Sequence, residues 1–168
     1  MTEKKLIIAF IIGTVLILGG GVMVLNSSTP KKITSSQSVK VETGERKFDW
    51  GQINYNGPKA TKIFKIKNTG TDVLKLTSVK TSCSCTSAQL VIDDQRSPLF
   101  SMHSVSSWVG EVKPGKEALL EVVFDQAFHG PSGVGPVERI ISVETNDAQN
   151  PYLEFNLKGV VVNEKNKI

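Results

Sequence analysis

The sequence predicts an all-β fold, an antiparallel β-sandwich of about seven strands, preceded by one N-terminal transmembrane helix. Three observations carry this. Short runs in which apolar and polar residues alternate recur from Phe48 onward. Turn residues interrupt those runs at intervals, as between the strands of an antiparallel sheet. Finally, no charged residue occurs between Leu6 and Leu25, and about 20 helical residues suffice to cross a hydrocarbon core.

Taken in order, residues 1–5 form a short tail and residues 6–25 the expected anchor. A cleaved signal peptide would have an apolar core of roughly 7–15 residues and a small-residue cleavage site. No Ala-x-Ala pattern follows Leu25, and no cysteine follows it for lipid modification. An uncleaved single-pass anchor is therefore expected. Lys4 and Lys5 precede the run while Lys31 and Lys32 follow it, so basic residues alone do not orient it. The short leading tail points to an extracytoplasmic domain, in the periplasm or at the cell surface. Residues 26–47, "NSSTPKKITSSQSVKVETGERK", are rich in Ser, Thr and Lys and read as a flexible tether, because they bury too little to offset their ordering entropy.

The net charge of +4 resides in the ends of the chain. Phe48–Val162 holds eleven Lys and Arg against twelve Asp and Glu. The expected folded part has no basic excess, which argues against a nucleic-acid partner. The membrane is the partner implied by the anchor.

The domain is expected over residues 48–162, with 163–168 as a tail. "ATKIFKIKN" is a strand that ends at the turn "TGTD", and "VLKLTSVK" is the next. The Pro-Gly turn in "KPGK" launches "EALLEVVFDQ", in which Ala118, Leu120, Val122 and Phe124 share one face. "ERIISVETND" follows. In "YLEFNLKGVVV", Leu153, Phe155 and Leu157 alternate with Glu154, Asn156 and Lys158. Size and strand count fit an immunoglobulin-like sandwich. The only two cysteines, Cys83 and Cys85, are too close together to staple two sheets as in an antibody domain.

Five landmarks occur in a specific order: "FDWGQI" at Phe48–Ile53, "FKIKNTGTDVLKL" at Phe64–Leu76, "SCSCT" at Ser82–Thr86, "VKPGKEALLEVVFD" at Val112–Asp125 and "ISVETND" at Ile141–Asp147. In this the chain resembles the bacterial domain-of-unknown-function family 1573, itself similar to ASH/MSP-type immunoglobulin-like modules and typically exported or membrane-anchored. The resemblance implies the fold and assigns no activity. It implies that Cys83, Cys85 and Thr86 occupy a family landmark. Ser84 departs from the glycine expected there, and Val91–Gly110 looks like an insertion.

Two cysteines one residue apart at the end of an extended strand would point to the same side. Three chemistries follow. The first is soft-metal binding, most directly Cu(I), by two thiolates with Met and His from loops. Cys83 and Cys85 would be primary ligands, and Met102, His103 and His129 candidates to complete the site. Capture or hand-over of the ion would involve a metal donor or acceptor protein, and thiolate ligation would release protons. The second is thiol–disulfide exchange, since a Cys-x-Cys disulfide closes a tight ring. The third is structural, a local bridge or two buried small side chains. Beside these stands a non-enzymatic protein-interaction or scaffolding module at the cell envelope, contacting its partner through a sheet edge or long loops. An enzyme is not expected. No nucleophile elbow, P-loop or dinucleotide fingerprint is present, and nothing in the spacing selects a Cys–His–Asp125 nucleophilic set.

Overall fold

The computed structural model describes residues 33–163 continuously, together with Glu3, Ile8 and Phe10–Val15. The chain divides into two compact units, Met1–Lys31 and Lys32–Ile168. In the first, Phe10–Val15 is helical, and the Thr14 hydroxyl donates to the Phe10 carbonyl at 2.8 Å.

The second unit is a sandwich of ten strands: β1 (Val41–Thr43), β2 (Lys47–Asn54), β3 (Ala60–Asn68), β4 (Leu74–Thr81), β5 (Thr86–Ile92), β6 (Gln95–Arg96), β7 (Val109–Val112), β8 (Glu117–Phe124), β9 (Gly135–Thr145) and β10 (Tyr152–Val162). They form two five-stranded sheets, ordered β1-β3-β8-β5-β6 and β2-β10-β9-β4-β7. Strand pairs are antiparallel except β2 with β10, which run parallel. The expected alternation is visible in burial. Ala118, Leu120, Val122 and Phe124 of β8 face inward, as do Leu153, Phe155 and Leu157 of β10. All of these but Phe124 meet Phe64, Ile66, Leu74, Leu76, Leu90, Ile141 and Val143 in one apolar layer.

The strand count exceeds the expected seven because β1, β6 and β7 have only three, two and four residues. Runs that short carry too few alternations to register as a period. The β5–β6 hairpin turns on Asp93 (φ 47°) and Asp94 (φ 63°), two left-handed residues as a two-residue hairpin requires.

Two further expectations are corrected. The expected span, residues 6–25, lies largely outside the described residues. Among those described, no helix is long and apolar enough to cross a membrane, which overturns the single-pass localisation. The run's apolar content was the signal, and the continuous helix described within it is Phe10–Val15. The tether expected over residues 26–47 is described from Ile33, and from there it is folded. Ser36 bridges to Asp147 in parallel, Val39 is buried in the main core, and β1 extends the first sheet beside β3.

Buried polar side chains hold this segment, and they explain two of the sequence landmarks. Asn68 donates to the Asp72 and Val112 carbonyls and accepts from the Gly70 amide. The Thr69 and Thr71 amides donate to the Lys40 and Ser38 carbonyls. Gly70 is required by this approach, because a Cβ there would lie 2.4 Å from the Ser38 oxygen and 2.5 Å from the Lys40 nitrogen. In the "TND" landmark, Asn146 accepts from the Lys75 amide and donates to the Val73 carbonyl. Asp147 accepts from the Val41 and Gln149 amides and the Asn150 side chain.

Burial pushes the Asp147 carboxyl up, but those backbone and side-chain donors outweigh it and hold it below the ordinary carboxylate value. Its contribution to stability is therefore complete above an unfolded value of about 3.9 and is lost as pH falls through the lower folded value. Asp147→Ala should lower stability by roughly 1–3 kcal/mol at pH 7, the cost of orphaned buried donors. Urea denaturation at pH 7 and pH 3 checks this, with the gap between wild type and variant narrowing at the lower pH.

Candidate functional site

The chain leaves the second sheet at Thr81, the end of β4, and enters the first at Thr86, the start of β5. It has only Ser82–Cys85 in which to cross, so the crossing is a tight turn rather than the extended end expected from the spacing. The Thr86 amide donates to the Cys83 carbonyl at 3.1 Å, and the Thr81 hydroxyl donates to the Cys83 and Thr86 carbonyls at 2.9 and 3.0 Å. Ser82 and Ile140 fasten the turn to β9 through the Ser82 amide to the Ile140 carbonyl and the Ile140 amide to the Ser82 hydroxyl.

Cys83 and Cys85 are joined as a disulfide, with their Cα atoms 5.2 Å apart. Neither sulfur is a free thiolate in this state, so the expectation of two primary thiolate ligands does not describe it. The two sulfurs have different surroundings. Cys83 is half-buried, and its backbone-facing side accepts from the Cys85 amide at 3.2 Å. Cys85 is 2% exposed and packs in a small apolar cluster with Ile53, Phe124 and Val161.

His129 arrives from the β8–β9 connection. That connection is tied to the turn where the Asp125 amide donates to the Cys85 carbonyl at 2.9 Å. Gln126 anchors it from below, its amide nitrogen lying 3.2, 2.9 and 3.0 Å from the Asn54, Gly57 and Pro58 carbonyls. Lys59 pairs with Asp125 at 2.8 Å and, against the opposing effect of burial, holds that carboxyl below its usual value. A 3₁₀ turn over Gly130–Gly133 follows, and the Ser132 hydroxyl donates to the His129 carbonyl. This brings the exposed His129 ring to 3.5 Å from the Cys83 sulfur, measured at Nε2, and into edge contact with Phe128.

Arg139 of β9 completes the site, and its role was not anticipated. Its Nε donates to the Cys85 sulfur at 3.1 Å, an Nη donates to the Glu138 carbonyl, and the guanidinium lies 5.0 Å from the Phe124 ring centre. Burial lowers its pKa from the ordinary value. The signal for it was present in the sequence. Arg139 shares strand parity with the buried Ile141 and Val143, so it is a cation on the inward face of a strand. Beside the disulfide lies a cleft of about 380 Å³ whose lining includes Phe124, Gln126, His129, Val134 and Arg139.

Three of the five candidate ligands are brought together. Ligand atoms of Cys83, Cys85 and His129 lie within 4.8 Å of one another. His103 is not part of that group. Met102 precedes it in an exposed turn between β6 and β7 and is 44% exposed. Trp108 packs on Phe100 at 5.8 Å against the core.

The family described as "Protein of unknown function (DUF1573)" matches residues 41–96, which include the disulfide. No curated protein matches the chain. A protein of unknown function from Porphyromonas gingivalis W83 is similar in structure, with 26% identity over 76% of this chain and a TM-score of 0.56. This chain covers 49% of that one, about half its length. An ASH/PapD-like domain of human CEP192 is similar at 18% identity, covering 79% of this chain and 92% of that one, with a TM-score of 0.48. A family 123 glycoside hydrolase from Clostridium perfringens matches at 10% identity, over 75% of this chain and 27% of that one, with a TM-score of 0.50. The two-sheet sandwich is thus a fold shared with the Porphyromonas gingivalis protein.

The unequal burial of the two sulfurs predicts unequal reactivity. In the folded Cys85→Ser variant the Cys83 thiol should react with a chromogenic disulfide reagent at least about 10-fold faster than Cys85 does in Cys83→Ser, since access governs such exchange. Rates that become equal only in denaturant complete the expected pattern.

Proposed function

We propose that this chain is an immunoglobulin-like sandwich module carrying a thiol–disulfide exchange site at Cys83–Cys85. The observation that supports it is the setting of this one disulfide. It sits in a tight turn at the rim of the sandwich, with one sulfur reachable beside an imidazole and the other enclosed beside a guanidinium. A bridge that served only to pin the turn would need neither group, because the turn is already held by the Thr81 hydroxyl and the Thr86 amide on the Cys83 carbonyl and by the Ser82 amide on the Ile140 carbonyl.

The chemistry is two successive displacements. A partner thiolate bonds to one sulfur of the pair, the Cys83–Cys85 bond breaks, and its electron pair leaves on the other sulfur. A second thiol of the partner, deprotonated, then displaces the mixed disulfide. The partner dithiol ends oxidised and the cysteine pair reduced, and the reverse sequence reduces a partner disulfide. His129 stands where it can take the proton of an incoming thiol.

The test is exchange of the full chain with reduced and oxidised glutathione, quenched by alkylation and read by mass. The folded wild type should interconvert between disulfide and dithiol, and His129→Ala should slow both directions by about 10-fold without loss of fold, a modest share of general acid–base catalysis. A disulfide inert until the protein unfolds, or an unchanged rate in His129→Ala, would count against this function.

A second reading rests on the grouping of Cys83, Cys85 and His129 ligand atoms within 4.8 Å. Once reduced, two thiolates and an imidazole are a donor set suited to a soft ion such as Cu(I). The reduced full chain would then take up one Cu(I) in competition with a calibrated chelator. Cys83→Ser with Cys85→Ser should abolish uptake, His129→Ala should weaken it by at least about 10-fold, since losing even a residue that only supports a ligand costs that much, and His103→Ala should leave it unchanged.

A further inference from the structure

Arg139 is half-buried, and among the described residues no carboxylate pairs with it. A cation taken out of water is costly unless an anion accompanies it. What Arg139 has instead is a carbonyl, an aromatic face and the Cys85 sulfur at 3.1 Å. A disulfide sulfur is neutral and a weak acceptor, and does not justify a guanidinium held on the inward face of a strand. Two acidic residues, Asp125 and Glu138, line the adjoining cleft with Arg139. Asp125 is paired with Lys59, and Glu138 offers Arg139 its backbone carbonyl. One anion fits the position, and it exists only after the disulfide opens: the thiolate of Cys85.

We infer that Arg139 sets the direction of bond breaking, so that the partner thiol bonds to Cys83 and Cys85 departs as a thiolate onto the guanidinium. This rests on the exchange function proposed above and adds which sulfur meets the partner. In the step, the partner thiolate forms a bond to the Cys83 sulfur, the Cys83–Cys85 bond breaks, and its electron pair stays on Cys85. No proton is consumed, because the leaving charge is met by the Nε–H of Arg139. A charge-assisted hydrogen bond of this kind is stronger than the neutral contact it replaces, and it strengthens as the bond breaks, which is when it lowers a barrier. Burial agrees with the assignment. Cys85 is enclosed by Ile53, Phe124 and Val161, whereas Cys83 is half-exposed beside His129. Three exposed apolar residues adjoin it: Phe128 touches His129, Val134 lines the cleft, and Ile140 bonds to Ser82. The partner is accordingly a thiol-bearing molecule that is captured on Cys83.

The experiment exposes the oxidised full chain to reduced glutathione, quenches into denaturing N-ethylmaleimide, and locates glutathione on Cys83 or Cys85 by fragment mass. Wild type should carry it on Cys83 by about 10 to 1 or more, with maleimide on Cys85, as expected where access and the leaving group both favour one sulfur. Arg139→Gln should slow adduct formation by about 10-fold and erode that selectivity, while Arg139→Lys, which keeps the charge, should restore part of both. Glutathione on Cys85, an even mixture, or an Arg139→Gln variant as fast and selective as wild type would overturn the inference while leaving exchange itself intact. No adduct on either cysteine would remove the exchange function and this inference together. The wild-type adduct position decides the matter even if Arg139→Gln fails to fold.

Discussion

Every crossing from one sheet to the other carries backbone N–H and C=O groups past an apolar layer, and each of those groups must find a partner. The rest of this structure depends on how that requirement is met. At one set of crossings Asn68, Asn146 and Asp147 supply the partners from side chains that are almost fully buried. At the β4–β5 crossing Thr81 does so with a single hydroxyl that reaches two carbonyls. The apolar layer gives the sandwich its driving force, but these few polar side chains decide where the chain is able to turn.

The chemistry of the site is a by-product of the second kind of crossing. Four residues are too few to loop outward, so Cys83 and Cys85 are folded back on each other at the rim. The adjoining β8–β9 connection is drawn in by the bond from the Asp125 amide to the Cys85 carbonyl, and His129 comes with it. Arg139 is delivered by strand parity. No element is built for the site alone. It is assembled from three segments that the sandwich already brings to one end.

Much of the architecture was legible in the sequence, and the parts that were not share a cause. β3, β8 and β10 announce themselves because eight or more residues of clean alternation repeat the same signal. β1, β6 and β7 do not, because pairing defines them and their side-chain pattern does not. The segment around Val39 reads as solvated linker by composition, yet one buried valine and hydrogen bonds from Thr69 and Thr71 are enough to dock it. Composition averages over residues, whereas docking needs only a few of them. Of the site, the cysteine pair and His129 were visible as ligand types in loops. His103 carried the same one-dimensional signal but is not in that group. Arg139 is not a soft-ligand type, and only its position among inward-facing residues of β9 marks it as unusual.

The notch at Gly70 bears on how this protein can be dissected. A fragment cut at Phe48, where composition changes, would discard Val39 and the whole of β1. The slot between Ser38–Lys40 and the Asn68–Thr71 turn would stand vacant, with the edge of β3 bare and open to pairing with a neighbouring molecule. Fragments meant to behave like the intact sandwich therefore need to keep Ser36, which bonds to Asn146 and bridges to Asp147, and all that follows it.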